Sequence, residues 1–203
     1  MIVSWIHTIG KEEFLVLHAT FNTFNNECLI LNKYSDCAGF KLAAITCLCL
    51  AIKVHNQKPL SMKSLSNLSN GEIAVQDISE MESIILKNLN WNLCPPIASI
   101  FCKYFILLLP YDTNVSVRRS ILERSCFFSE LSLFQRSFVL LQQSEIAFAA
   151  ILNAVDELNS LKFPSKIKIN FIQDLEYYSG LCKNSNQIYA ARAKMLSLYK
   201  HTQ

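Results

Sequence analysis

Residues 42–52, Leu-Ala-Ala-Ile-Thr-Cys-Leu-Cys-Leu-Ala-Ile, form an uncharged apolar run bracketed by Lys41 and Lys53. A helix over residues 40–54 is apolar on every side, so it cannot lie on a surface and must be enclosed by other helices. The run falls well short of the ~20 apolar residues that span a bilayer, so protein and not lipid must enclose it, and no membrane span is expected. A second segment of the same kind covers residues 144–158, with Ile146-Ala-Phe-Ala-Ala-Ile-Leu-Asn-Ala-Val at its centre. Laid on the first, it shares few identities but the same nearly all-apolar pattern. A chain with two such hubs needs two helical shells.

The rest of the sequence supplies them. Leu17, Phe21, Phe24, Cys28 and Leu31 recur in steps of four and three, which predicts a helix over residues 12–33 with an Asn-rich outer face. A short helix follows Ser61, an N-cap residue after Pro59, and stops near Asn70-Gly71. A longer helix over residues 74–90 turns Ile78, Met81, Ile85 and Leu89 inward, and Cys94-Pro95-Pro96 closes the unit because prolines cannot continue a helix. Beyond the prolines the plan restarts. Helices are predicted over 97–109, over 114–131 with Val117, Ile121, Phe128 and Leu131 inward, over the hub 144–158, over 167–178, and over 186–200 with Ile188, Ala191, Met195 and Leu198 inward. The expected fold is all-α: two tandem five-helix repeats, residues 1–93 and 94–203, each with a central apolar third helix.

Composition excludes several alternatives. Half of the 203 residues are hydrophobic (51%), and 4 Gly with 5 Pro are too few for a turn-rich β-sandwich or a disordered chain. The net charge of +3 is small and scattered, and Arg118-Arg119 falls in an amphipathic stretch, so nucleic-acid binding is not expected. The opening Met1-Ile-Val-Ser-Trp-Ile lacks a basic n-region and a small-residue cleavage site, which points to an intracellular protein. The 8 cysteines include no Cys-x-x-Cys pair, and Cys47 and Cys49 sit inside the first hub; buried, reduced thiols are expected, and no metal site. No Gly-rich phosphate loop is present, and His7, His18, His55 and His201 fall in no ligand or triad spacing. Catalytic residues and cofactors are therefore not expected.

Two charges punctuate the first repeat. Lys53 closes the hub as Ala51-Ile52-Lys53, and Glu82 opens Met81-Glu82-Ser-Ile-Ile-Leu-Lys-Asn-Leu-Asn-Trp91-Asn-Leu93. Alone, Lys53 reads as a cation complementing a helix C-terminus, worth ~0.3–1 kcal/mol, and Glu82 as a solvated acid on an amphipathic helix. Together, with Leu50, Val54 and Leu86 one helical step away, they read as a charged pair rimmed by apolar residues, as a groove for a partner helix requires.

These two segments resemble the cyclin box: a small-residue apolar helix ending in Ala-x-Lys, then Met-Glu, Ile-Leu, Leu and an aromatic before an apolar-Pro turn. The opening Val3-Ser4-Trp5-Ile6 and Ser129-Glu130-Leu131-Ser132-Leu133 extend the resemblance more loosely. It implies a non-catalytic subunit that binds and activates a cyclin-dependent protein kinase as a heterodimer in cell-cycle control, in the nucleus or cytoplasm. Lys53 and Glu82 would then hold the kinase, and Leu50, Val54, Leu86, Trp91 and Leu93 would pack against its C helix and activation segment. Core packing is the rival role for Trp91 and Leu93. The second repeat has Glu157 opposite Lys53, and Asn186 or Gln187 near the Glu82 position, so the constellation is read in the first repeat alone.

The resemblance has gaps. The family's paired Arg and Asp-Arg are missing: the Arg position falls at or before Met1, and Asn25-Asn26 stands where Asp-Arg would be, which suggests a shortened or diverged sequence. A docking patch for kinase substrates or inhibitors would map to Ile2, Trp5, Phe40 and Lys41, weakened because Thr8 replaces an acid. His55-Asn56 replaces the acids that often follow the Lys. The alternative is a cyclin-fold scaffold or transcription-related protein that activates no kinase; laying repeats on DNA would need a basic groove, which the charge balance argues against.

Overall fold

The computed structural model describes residues 37–55, 72–93, 96–158 and 163–200. Among them are seven α-helices, two short 3-10 turns and no strand. The helices predicted over 12–33 and after Ser61 lie outside the described residues. The chain divides into two compact units, residues 1–95 and 96–203.

In the first unit α1 (Cys37–His55) is the predicted hub and α2 (Val75–Asn88) the predicted last helix of the repeat. Ala43, Ile45 and all residues from 47 to 52 are buried, on more than one face of α1, as an enclosed helix demands. The one polar residue within that stretch, Thr46, donates its hydroxyl to the Leu42 carbonyl at 2.8 Å, so its burial leaves no orphaned group. Two apolar clusters join α1 to α2 and to the residues just ahead of it. Ala43, Cys47 and Leu50 meet Met81, Ile85 and Leu89, while Ile45 and Cys49 meet Ile73 and Ile78. The predicted stripe Ile78, Met81, Ile85 and Leu89 is buried throughout. Asp77 accepts the Ala74 N–H at 3.3 Å and so tidies the start of α2.

Among the described residues the second unit holds five helices: α3 (Ala98–Ile106), α4 (Val115–Leu131), α5 (Gln143–Asp156), α6 (Ser165–Ser179) and α7 (Asn186–Lys200). Residues 146–155 of α5 are all buried, and α3, α4 and α7 pack around it as the principal neighbours. Predicted inward residues Val117, Ile121, Phe128 and Leu131 of α4, and Ile188, Ala191 and Met195 of α7, face that core; Leu198 is partly buried against it. Ser125 and Ser129 share the buried face of α4, because each returns its hydroxyl to a carbonyl three residues back, at 2.9 and 2.7 Å. Helix ends follow local chemistry. Asn114 caps α4 by accepting the Ser116 N–H at 2.8 Å, Glu145 accepts the Gln142 N–H at 2.8 Å ahead of α5, and Gly180 stops α6 in the left-handed conformation at φ 69°. Arg118 reaches back to the carbonyls of Leu109 and Pro110 and ties the α3–α4 turn. Among the described residues no helix is long and apolar enough to cross a membrane.

Candidate functional site

Lys53 lies in the last turn of α1 and Glu82 on α2, and the packing of the two helices sets them side by side. The Lys53 ammonium donates to both carboxylate oxygens of Glu82, at 2.6 and 2.8 Å. The lysine side chain is 36% exposed and the glutamate 16%. An ammonium carries three donors and a carboxylate about four acceptor sites, so one N–H and further lone pairs stay open to a second molecule. Within one chain an exposed pair of this kind stabilises by only ~0.2–1 kcal/mol. Cys49 is buried one turn before Lys53: burial pushes its thiol up, Lys53 opposes the shift and Glu82 adds to it.

The neighbours predicted to frame the pair divide into three groups. Leu50, 3% exposed, belongs to the α1–α2 core and supports the face from below instead of forming its rim. Leu86 and Leu93 are half-buried and pack against the same core. Val54 and Trp91 are exposed, Trp91 at 71%. Core packing, the rival role for Trp91 and Leu93, therefore describes Leu93 and not Trp91.

Trp91 owes its position to the way α2 ends. Asn90 and Trp91 both have left-handed backbones, at φ 47° and 60°. The turn is closed by N–H groups returning to the helix: Asn90 to the Lys87 carbonyl at 3.1 Å and Trp91 to the Leu86 carbonyl at 3.0 Å. Sequence reasoning did not single out Asn90, although Asn just past a helix is a recognised stop signal.

Of the proposed docking patch, Ile2 and Trp5 lie outside the described residues and Phe40 lies in the first turn of α1. Lys41 is exposed, and its ammonium meets Glu72 at 2.6 Å. Glu72 carries no signal along the chain; it falls just before α2, and only folding brings it to Lys41.

The second repeat corrects one match. Ile78, Met81 and Ile85 of α2 correspond in spacing to the buried Ile188, Ala191 and Met195 of α7, so the residue matching Glu82 is Arg192, not Asn186 or Gln187. The stretch between the hub and the last helix is longer in the second repeat, so counting forward from the hub misplaced it. Arg192 pairs with Asp156, the last residue of the hub α5, and its Nε donates to Asn153 Oδ1 at 2.9 Å. Asn153, almost fully buried, returns a bond from Nδ2 to the Arg192 carbonyl at 3.1 Å. Glu157, the residue aligned with Lys53, meets Arg124 at 2.7 Å. Both repeats thus brace the hub to the last helix with an ion pair, but in opposite polarity: cation on the hub in the first, anion on the hub in the second. Among the described residues no group of three His, Cys, Asp or Glu side chains is placed to hold a metal ion.

Residues 1–94 match the family described as cyclin, N-terminal domain, and residues 96–203 match cyclin, C-terminal domain. The chain belongs to the cyclin family. It is 24% identical to a G2/mitotic-specific cyclin-A of Spisula solidissima over 153 residues, 75% of this chain and 35% of that one. To the human G1/S-specific cyclin-D3 it is 26% identical over 137 residues, 64% of this chain and 46% of that one. A viral cyclin from herpesvirus saimiri shares the fold with a TM-score of 0.52 at 16% identity, over 96% of this chain and 89% of that one. The chain spans roughly a third to a half of the length of the curated cyclins it matches, from 33% to 48%.

Proposed function

We propose that this cyclin is a non-catalytic regulatory subunit that binds and activates a cyclin-dependent Ser/Thr protein kinase inside the cell, in cell-cycle control. The observation that carries the reading is the Lys53–Glu82 pair, bidentate yet partly open, with Val54 exposed next to Lys53 in the chain and Trp91 exposed just past the end of α2. An unused lysine N–H suits a partner's backbone carbonyl, and the free lone pairs of Glu82 suit its backbone N–H groups. Val54 and Trp91 supply apolar area for a helix that crosses the pair, with Leu86 and Leu93 at its edge and Leu50 holding the floor.

Activation on this reading is a population shift. The kinase exchanges between an inactive state and one in which its own Lys–Glu pair is formed and its activation segment open, and a subunit that binds only the second state raises that state's share. Binding the favoured state about 10⁴-fold more tightly turns a 1:99 equilibrium into 99:1. ATP and its magnesium belong to the kinase.

The test is co-purification with cyclin-dependent kinases followed by a phosphotransfer assay. Recovery of a kinase whose activity rises with added cyclin supports the reading; failure to bind any such kinase overturns it. The reversed pair in the second repeat favours a second reading, a cyclin fold that has kept its braces and activates nothing. Binding without activation would select it.

A further inference from the structure

The exit from α2 carries two consecutive left-handed residues, and only one of them suits that conformation. Asn enters the left-handed region more readily than other side-chain-bearing residues, because its amide can bond locally; a bulky Trp does so rarely. Trp91 is nonetheless held there by its N–H bond to the Leu86 carbonyl at 3.0 Å, followed by Asn92 to Leu89 at 2.9 Å and Leu93 to Trp91 at 3.0 Å. Leu89 before the turn is buried, and Leu93 after it packs back on the α1–α2 core. With both flanks pinned inward, the residue at the apex points out, and Trp91 is 71% exposed. Leu86 is one turn beyond Glu82 on α2, and its carbonyl accepts the Trp91 N–H that closes the turn.

We propose that Asn90 is a positioning residue whose left-handed backbone sets the Trp91 indole outward before any partner arrives, ready to fill an apolar cleft on the kinase. The proposal rests on the kinase-binding reading for its partner, but the positioning itself does not. A residue that cannot hold a positive φ at position 90 reopens the turn, so only a fraction of molecules present the indole and the apparent affinity falls by that fraction.

The experiment compares Asn90→Gly, which keeps the left-handed conformation, with Asn90→Val, whose β-branch opposes it. Acrylamide quenching of Trp91 is read in the free full-length chain, with the Trp5 emission measured in Trp91→Phe subtracted; affinity for the kinase is read separately. Asn90→Gly should match the parent in both. Asn90→Val should change the quenching constant and weaken binding about tenfold, while the helical circular dichroism signal is retained. If Asn90→Val loses that signal, Asn90→Ala takes its place with the same readings. Unchanged quenching in the folded variant overturns the positioning role. Changed quenching with kinase affinity untouched, in this variant and in Trp91→Ala, keeps the positioning role and removes Trp91 from the kinase site.

Discussion

Exchanging the two charges of the site, Lys53→Glu with Glu82→Lys, separates a brace from a docking site, because the swapped pair can still bridge α1 and α2 and only its polarity is reversed. The intramolecular bridge joins a 36% exposed lysine to a 16% exposed glutamate and contributes ~0.2–1 kcal/mol. Placing an anion at the C-terminal turn of α1 costs a further ~0.3–1 kcal/mol against the helix dipole. The second repeat, with Asp156 ending its hub, is a folded example of this polarity. The swapped protein should therefore melt within about 4–8 °C of the parent, the shift for ~1 kcal/mol in a domain of this size. Docking responds on another scale. A partner carbonyl facing Lys53 and a partner N–H facing Glu82 would each lose a charge-assisted bond worth ~1.5–3 kcal/mol and meet a like-signed group instead. Taken at the low end because the lysine is exposed, the two come to ~3 kcal/mol, or more than a hundredfold in Kd. Titration calorimetry with the kinase reads the affinity, and differential scanning calorimetry reads the melting point. A swap that binds as tightly as the parent leaves the pair as a brace and sinks the site assignment.

Leu50→Ala should lower stability by ~2–5 kcal/mol, seen as a reduced urea midpoint, because it opens a cavity between α1 and α2; this loss precedes any effect on binding. Arg192→Ala should cost ~1–3 kcal/mol in the same assay, since it leaves the buried Asn153 amide oxygen without its donor. The thiols of Cys49 and Cys102 are both raised, Cys49 by burial and Cys102 by its hydrogen bond with Cys126 together with burial. The unfolded chain thus ionises first, and the contribution these thiols make is complete below the ordinary thiol value of 9.0 and lost as pH rises beyond it. Melting temperature should fall more steeply above that pH in the parent than in Cys102→Ala. Iodoacetamide mapping by mass spectrometry should modify the exposed Cys182 well before Cys47, Cys49 or Cys102.

The hubs were legible because nothing but enclosure accommodates a helix that is apolar on all sides. The stripes of α2, α4 and α7 were legible because their apolar residues recur at helical spacing. Helix ends moved by a few residues where the chemistry is local: α3 stops at Ile106, with residues 107–109 finishing the turn through bonds three residues back, and α6 begins at Ser165 directly after Pro164. Ser125 and Ser129 broke the apolar pattern of α4 without breaking its buried face, since their hydroxyls are satisfied within the helix. At the site, Lys53 and Glu82 were readable from their motifs, but which neighbours face out was not. Leu50 and Val54 are four residues apart on α1, yet Leu50 packs into the α1–α2 cluster and Val54 is exposed. Partners that meet only after folding, such as Lys41 with Glu72 and Asp156 with Arg192, have no signature along the chain.

A molecule assembled twice from one plan risks crossing its own parts as it folds. Were α7 to settle on the hub of the first repeat, Arg192 would find Ile52 and Lys53 where its own hub has Asp156 and Glu157; were α2 to settle on the hub of the second, Glu82 would meet Asp156 and Glu157. Two like charges 4 Å apart repel by ~1 kcal/mol even in water, and more as the site dries. Charge alone would thus favour each half's own closing helix over its sibling's.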